Sequence, residues 1–149
     1  MMMRILLAGA MLGLGATSLV AQSSPVRERA LLMKEQGRAF YGTLNRMARG
    51  QDPYDQAKVD QAFAILAQTA PKLPALYASA KGEDPDAGYF ANAKVWDNKA
   101  DFDARLAKLK KDIEENQPKA KSLDGLKAAV GAVGETCNGC HEIYRTKKS

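Results

Sequence analysis

"SLDGLKAAVGAVGETCNGCHEIYR", residues 122–145, holds both cysteines and the single histidine of a 149-residue chain. It reads as one long helix. Ser122 suits the N-cap, because a hydroxyl there can accept a hydrogen bond from a first-turn N–H. Leu123, Leu126, Val130, Val133, Cys137, Cys140 and Tyr144 succeed one another at three- and four-residue intervals, His141 stands four residues after Cys137, and all fall on one face. Two thiols and an imidazole thus share the apolar seam of a helix.

Three further seams lie upstream. The first carries Val26, Ala30, Met33, Gly37, Phe40, Leu44 and Met47, and "ARGQDP" ends it: Gly50 suits a C-terminal cap and Pro53 the start of the next segment. Val59, Phe63, Leu66 and Ala70 form the second, which meets Pro71 and Pro74 and is predicted to kink or break there. "KGEDPDAGYFANAK", residues 81–94, reads as a loop of turn-forming residues. Val95, Phe102, Leu106, Leu109 and Ile113 form the third seam, which ends near Pro118. No stretch alternates as a strand does. Four apolar seams with mostly short connections predict an all-α, up-down-up-down four-helix bundle, a single domain over residues 22–149.

"MMMRILLAGAMLGLGATSLVAQ" precedes this domain. One early charge, Arg4, leads into a short apolar run rich in Ala and Gly, then into small residues and polar sequence. That pattern is a secretory signal peptide over residues 1–21 rather than a membrane anchor. Cleavage is expected after Ala21; Leu19 stands where a small residue is usual, which keeps Ser18 as a second site. Export of this kind predicts a periplasmic location in a bacterium. The whole chain has a formal charge of +5, one less when Arg4 leaves with the leader. Its basic residues are interleaved with acids along the helices, whereas a nucleic-acid-binding chain clusters them.

Cys137-Asn138-Gly139-Cys140-His141 has the C-x-x-C-H form of covalent haem c attachment. Residues three and four apart share a helix face, so two thiols one turn apart can add to two vinyl groups on one porphyrin edge. The imidazole beside the second thiol then reaches the iron. Two other uses of the residues compete. A disulfide would close a very short loop and constrain the unfolded chain little. Zinc normally takes four ligands, and Cys137, Cys140 and His141 supply three. A metal-free exported adaptor leaves the motif without a use.

The other axial position points to Met33. After removal of the leader the chain keeps two methionines, Met33 and Met47, both on the first seam. Antiparallel packing of the first and last helices brings Met33 to the level of His141, whereas Met47 lies about 21 Å further along at ~1.5 Å per residue. Gly37, one turn beyond Met33, leaves room for a flat ring. A methionine on an apolar stripe also serves as a core filler, and the iron is five-coordinate if Met33 only packs near it. Arg29, one turn before Met33, can reach a haem propionate with a charge-assisted hydrogen bond, or remain a solvated helix charge. Trp96 and Phe102 are expected beside the ring, with a capping position on the third helix as the alternative for Trp96.

The motif near the C-terminus, "VWDNKADF" at the start of the third helix and "RALLMKEQG" in the first are similar to the class II c-type cytochromes, the family of the cytochromes c′. The resemblance runs over nearly the whole chain after the leader. It implies a four-helix bundle with one covalent haem, and dimers are common in the family. Most cytochromes c′ have an apolar distal residue and high-spin, five-coordinate iron. The Met33-Lys34 pair with Gly37 beyond it resembles a low-spin branch with a distal methionine. Arg145, one turn after His141, matches the position where the family has a basic residue near the proximal imidazole. These readings predict an electron carrier without catalysis of its own, meeting redox proteins briefly, with a gas-binding cytochrome c′ as the alternative.

Overall fold

The computed structural model describes residues 24–148. The expected signal peptide and both expected cleavage positions lie outside these residues. The expected four-helix bundle is present, and each of its helices contains an interruption or a cap with a chemical cause.

The first bundle helix comprises α1 (Pro25–Ala39), a π-helical turn (Phe40–Leu44) and α2 (Asn45–Ala48). Ser24 caps it, accepting from the Arg27 N–H at 3.2 Å, and Gly50 ends it at φ 70°, a conformation that costs glycine nothing. The second comprises α3 (Gln56–Thr69) and α4 (Leu73–Ser79). Pro71 and Pro74 produce the expected break as a 3-10 turn, Ala70–Lys72, between them. The third is split. A one-turn α5 (Lys94–Asp97) is separated from α6 (Lys99–Asn116) by Asn98, whose φ −122° and ψ 53° leave the helical region. The fourth is α7 (Leu123–Tyr144), with Ser122 Oγ accepting from the Gly125 N–H at 3.1 Å.

The loop over residues 81–94 is a loop only in part. Tyr89–Ala91 forms strand β1, and Arg145–Lys147 forms strand β2. They pair antiparallel, with Phe90 opposite Thr146. Asn92 fastens the junction: its side-chain amide donates to the Ile143 carbonyl at 2.9 Å and its N–H to the Tyr144 carbonyl at 3.0 Å. Two carbonyls that the end of α7 leaves without helical partners are thereby satisfied.

Two apolar clusters fill the bundle. One joins Phe40, Leu44, Met47, Val59, Phe63, Leu66, Ile113, Leu126 and Val133. Phe40 presses on α7 at Gly134, where a Cβ would come within 3.2 Å of the Phe40 ring. The other joins Leu32, Leu73, Tyr77, Val95, Phe102, Leu106 and Tyr144. Tyr77, Phe102 and Tyr144 stack edge to face in sequence, with centroids 4.7 and 5.1 Å apart.

The first seam divides between these surroundings in an unexpected way. In α1 the residues buried by protein are Arg29, Leu32, Gln36 and Ala39, not Val26, Ala30, Met33 and Gly37. Those four line a cavity instead. From Phe40 onward the expected positions Leu44 and Met47 are buried as predicted. The π-helical turn, which inserts an extra residue per turn locally, lies between the two regimes.

Candidate functional site

Cys137, Cys140 and His141 of α7 and Met33 and Gly37 of α1 line one recess of about 50 Å³. It adjoins a cavity of about 500 Å³ that shares Met33, Gly37, Cys140 and His141 with it, a volume typical of cofactor sites. Its walls are mostly hydrocarbon, including Val95, Phe102 and Leu106. The structure thus brings together the motif and Met33 from opposite helices, while Met47 lies buried in the apolar cluster away from the cavity.

The donors are neutral. Burial and the nearby Cys140 push the Cys137 thiol up to about 11, and burial raises Cys140 as well. Burial, helped by the positive charge of Arg145, pushes His141 down to about 4. A neutral imidazole keeps a lone pair for a metal. His141 Nδ1 is buried without a hydrogen-bond partner, a cost that a folded chain rarely leaves in place. The protein by itself does not satisfy this ring.

The stretch bearing the thiols is held from two sides. From α6, Lys108 Nζ donates to Asp112 at 2.6 Å and to Thr136 at 3.0 Å, while the Thr136 hydroxyl donates to Asp112. One turn away, Arg105 pairs with Asp101 and donates to the Gly139 carbonyl at 3.3 Å; the Tyr144 hydroxyl also donates to Asp101. From the first bundle helix, the Tyr41 hydroxyl donates to Asn138 Oδ1 at 3.0 Å. Tyr41 sits in the π-helical turn, and Asn138 lies between the two thiols. Of these residues the sequence marked only Tyr144, as a seam position, and Asn138 and Gly139, within the motif; for the rest, alternating Asp and Lys along α6 was the one available hint, and it reads equally as surface charge.

Trp96 departs from its expected place, and Arg29 and Arg145, which both line the cavity, have protein partners that the sequence did not show. The Arg29 guanidinium is committed to the main chain, donating to the carbonyls of Ala80 and Gly82. It lies 4.9 Å from the Tyr77 ring centre and is 4% exposed, so it ties α1 to the loop after α4 while it also lines the cavity. Trp96 does not line the cavity: its indole N–H donates to the Tyr77 carbonyl at 3.1 Å, and its ring faces Arg29 and Lys81. Trp96 belongs to the one-turn α5, which the non-helical Asn98 separates from α6. Phe102 does line the cavity. Arg145 is not helical; at φ −109° and ψ 137° it begins β2, with its guanidinium 4.5 Å from the Tyr89 ring centre. Its charge still acts on His141, as expected of a basic neighbour.

Both cysteines are free thiols, and no three His, Cys, Asp or Glu side chains converge as a metal site among the described residues.

Comparison with known proteins agrees with this fold. The family described as Cytochrome C′ matches residues 24–145. The chain belongs to the cytochrome c′ family. Cytochrome c-556 of Rhodopseudomonas palustris is 38% identical over 150 residues, covering 99% of each chain. An NMR-validated structural model of that oxidised protein overlays with a TM-score of 0.73, covering 86% of this chain and all of its own. Cytochrome c′ of the same organism is 34% identical over 149 residues, with full coverage of both. A nitric oxide complex of a cytochrome c prime variant from Alcaligenes xylosoxidans, 28% identical, overlays at 0.71 and covers 83% and 94% of the two chains. The family cofactor is covalently bound haem c, and this chain carries the cysteines for it.

The residues present fit that group. Two thiols stand one helical turn apart, a buried imidazole nitrogen lacks a partner, and an ideal Cβ on Gly37 would meet nothing within 4 Å on the cavity side of α1. No helix among the described residues is long and apolar enough to cross a membrane.

Proposed function

We propose that this protein is a periplasmic electron carrier, with haem c attached through Cys137 and Cys140 and its iron held between His141 and Met33. The observation that carries the reading is the convergence of Met33 and His141, from different helices, on one apolar cavity. When bound, the haem supplies a one-electron couple. The chain does the rest. Cys137 and Cys140 anchor the edge, while Asp112, Thr136 and Arg105 hold their helix against α6. The apolar wall formed by Val95, Phe102 and Leu106 excludes water. A thioether ligand favours the reduced metal and raises the potential relative to histidine alone. With both axial positions filled, the role left to the protein is exchange of electrons with redox proteins met briefly. Signal-peptide cleavage near Ala21 would deliver the domain to the compartment where such chains acquire their haem.

A second reading keeps Met33 as a packing residue beside an open iron that binds nitric oxide or carbon monoxide. The nitric oxide complex of a related cytochrome c prime favours it. Optical spectra of the oxidised and reduced holoprotein, before and after carbon monoxide, separate the two. Low-spin spectra unmoved by the gas support ligation by Met33. A high-spin ferrous form that takes carbon monoxide readily sinks it.

A further inference from the structure

On the solvent side of α1, beside the cavity, Leu31, Lys34, Arg38 and Tyr41 succeed one another at intervals of three and four and so share a helix edge. Leu31 is 50% exposed and Tyr41 42%, two of the few large apolar side chains left in water among the described residues. Leu31, Lys34 and Tyr41 line the mouth of the cavity, and Met33 lies inside it. The Tyr41 hydroxyl reaches Asn138, between the two thiols. This edge is therefore the outer surface of the wall that separates the cofactor site from solvent.

Its two cations, Lys34 and Arg38, make no salt bridge among the described residues, although Glu35 lies between them on α1 and Glu83, Asp84 and Asp86 line the same cavity. Along α6, by contrast, Lys99, Lys108, Lys110 and Lys111 each face an acid one turn on. A small patch with apolar side chains amid free positive charge suits a weak redox encounter, in which charge orients the approach and little area is buried. A second copy is a poor occupant: a two-fold contact sets each patch against itself and brings Lys34 and Arg38 against their own counterparts.

Resting on the electron-carrier reading, we propose that the Leu31–Lys34–Arg38–Tyr41 edge of α1 is the docking face for a redox protein with an acidic surface. Electrons pass in either direction across the wall formed by α1.

The test uses the haem-loaded protein in stopped flow at low salt, with two reductants. Reduced acidic [2Fe–2S] ferredoxin is the protein probe and methyl viologen radical cation the small cationic one. The double variant K34E/R38E should lose about tenfold or more in the ferredoxin rate while the viologen rate holds or rises, and K34Q/R38Q should fall between it and the parent. Reversal at K110E/K111E, the same change in net charge on α6, should leave the ratio of the two rates near the parent value. Equal loss in the two reversed variants, or loss in neither, overturns the proposal. So does a parent dimer, seen by sedimentation, that L31E dissociates. A carbon monoxide spectrum revealing open iron would remove the electron-carrier reading, yet the rate ratio would still report where an acidic protein docks.

Discussion

The two halves of the bundle are built on different principles. Around Leu44, Phe63, Leu126 and Val133 the helices bury one another's side chains almost completely. Around Met33, Gly37, Cys140 and His141 they enclose about 500 Å³ instead. The first half is finished by protein alone. The second is a wall of helices around room for a further packing partner, and its loose end is tied by polar devices: Arg29 to the Ala80 and Gly82 carbonyls, Asn92 to the end of α7, β1 to β2. Where hydrocarbon cannot touch hydrocarbon across a helix pair, main-chain hydrogen bonds hold the geometry.

Four expected outcomes sharpen that contrast. The largest concerns the cysteines. C137S/C140S should carry no haem that survives acid–acetone extraction, and hydrogen exchange should accelerate in α1, α4 and α5 while amides near Phe63 and Leu126 keep their protection. Equal acceleration in both halves would break the division. Next, F63A should cost about 3–5 kcal/mol in denaturant unfolding of the holoprotein while leaving its optical spectrum unchanged, because the deleted ring lies wholly in the closed half. G37L makes an opposite demand. The cofactor-free chain should be as stable as before, or more so by about 0.5–1 kcal/mol, since glycine weakens a helix interior and the added side chain enters open space. The loaded protein should lose thermal stability, and paired melts of the two forms read the difference in sign.

The remaining outcome concerns Asp112, whose effect depends on pH. Burial opposes ionisation of its carboxyl, and the hydrogen bonds from Lys108 and Thr136 outweigh that, so it titrates below the usual range. A carboxylate depressed by folding adds stability in full above its unfolded pKa of about 3.9, and that contribution disappears as pH falls through the folded value. D112N should therefore cost about 1–3 kcal/mol at neutral pH. Its deficit should shrink as acid protonates the parent, which denaturation at several pH values would trace.

Much of this was readable from the chain. Three- and four-residue spacing gave the helices because burial on a helix face has that period, and Ser122, Gly50 and the Pro71–Pro74 break reflect local stereochemistry. The C-x-x-C-H motif and Met33 were legible because chemistry and helix register depend on adjacent positions. The sequence did not say what an apolar stripe faces. Val26, Ala30, Met33 and Gly37 look like core but line a cavity, since a porphyrin wall and a protein core select the same side chains. The β1–β2 pair escaped notice because each strand has three residues and neither alternates; its cause is main-chain pairing between distant segments. The main-chain ties of Arg29 were hidden for a similar reason, its partners being carbonyls, which any residue supplies. For Trp96, the deciding feature was the backbone of Asn98, which no pattern marks.

The strand pair also imposes an order in time. Arg145 opens β2 directly after the helix that bears Cys137, Cys140 and His141. The partner strand lies before α6, so the pairing closes a long loop, and closing it costs entropy that short-range helix formation does not. β1 and its loop also line the cavity. The wall on that side is thus fastened only once the ligand-bearing helix has been placed against α6. A cofactor delivered before that moment meets a cleft open on the strand side as well; one delivered afterwards meets only the mouth beside α1.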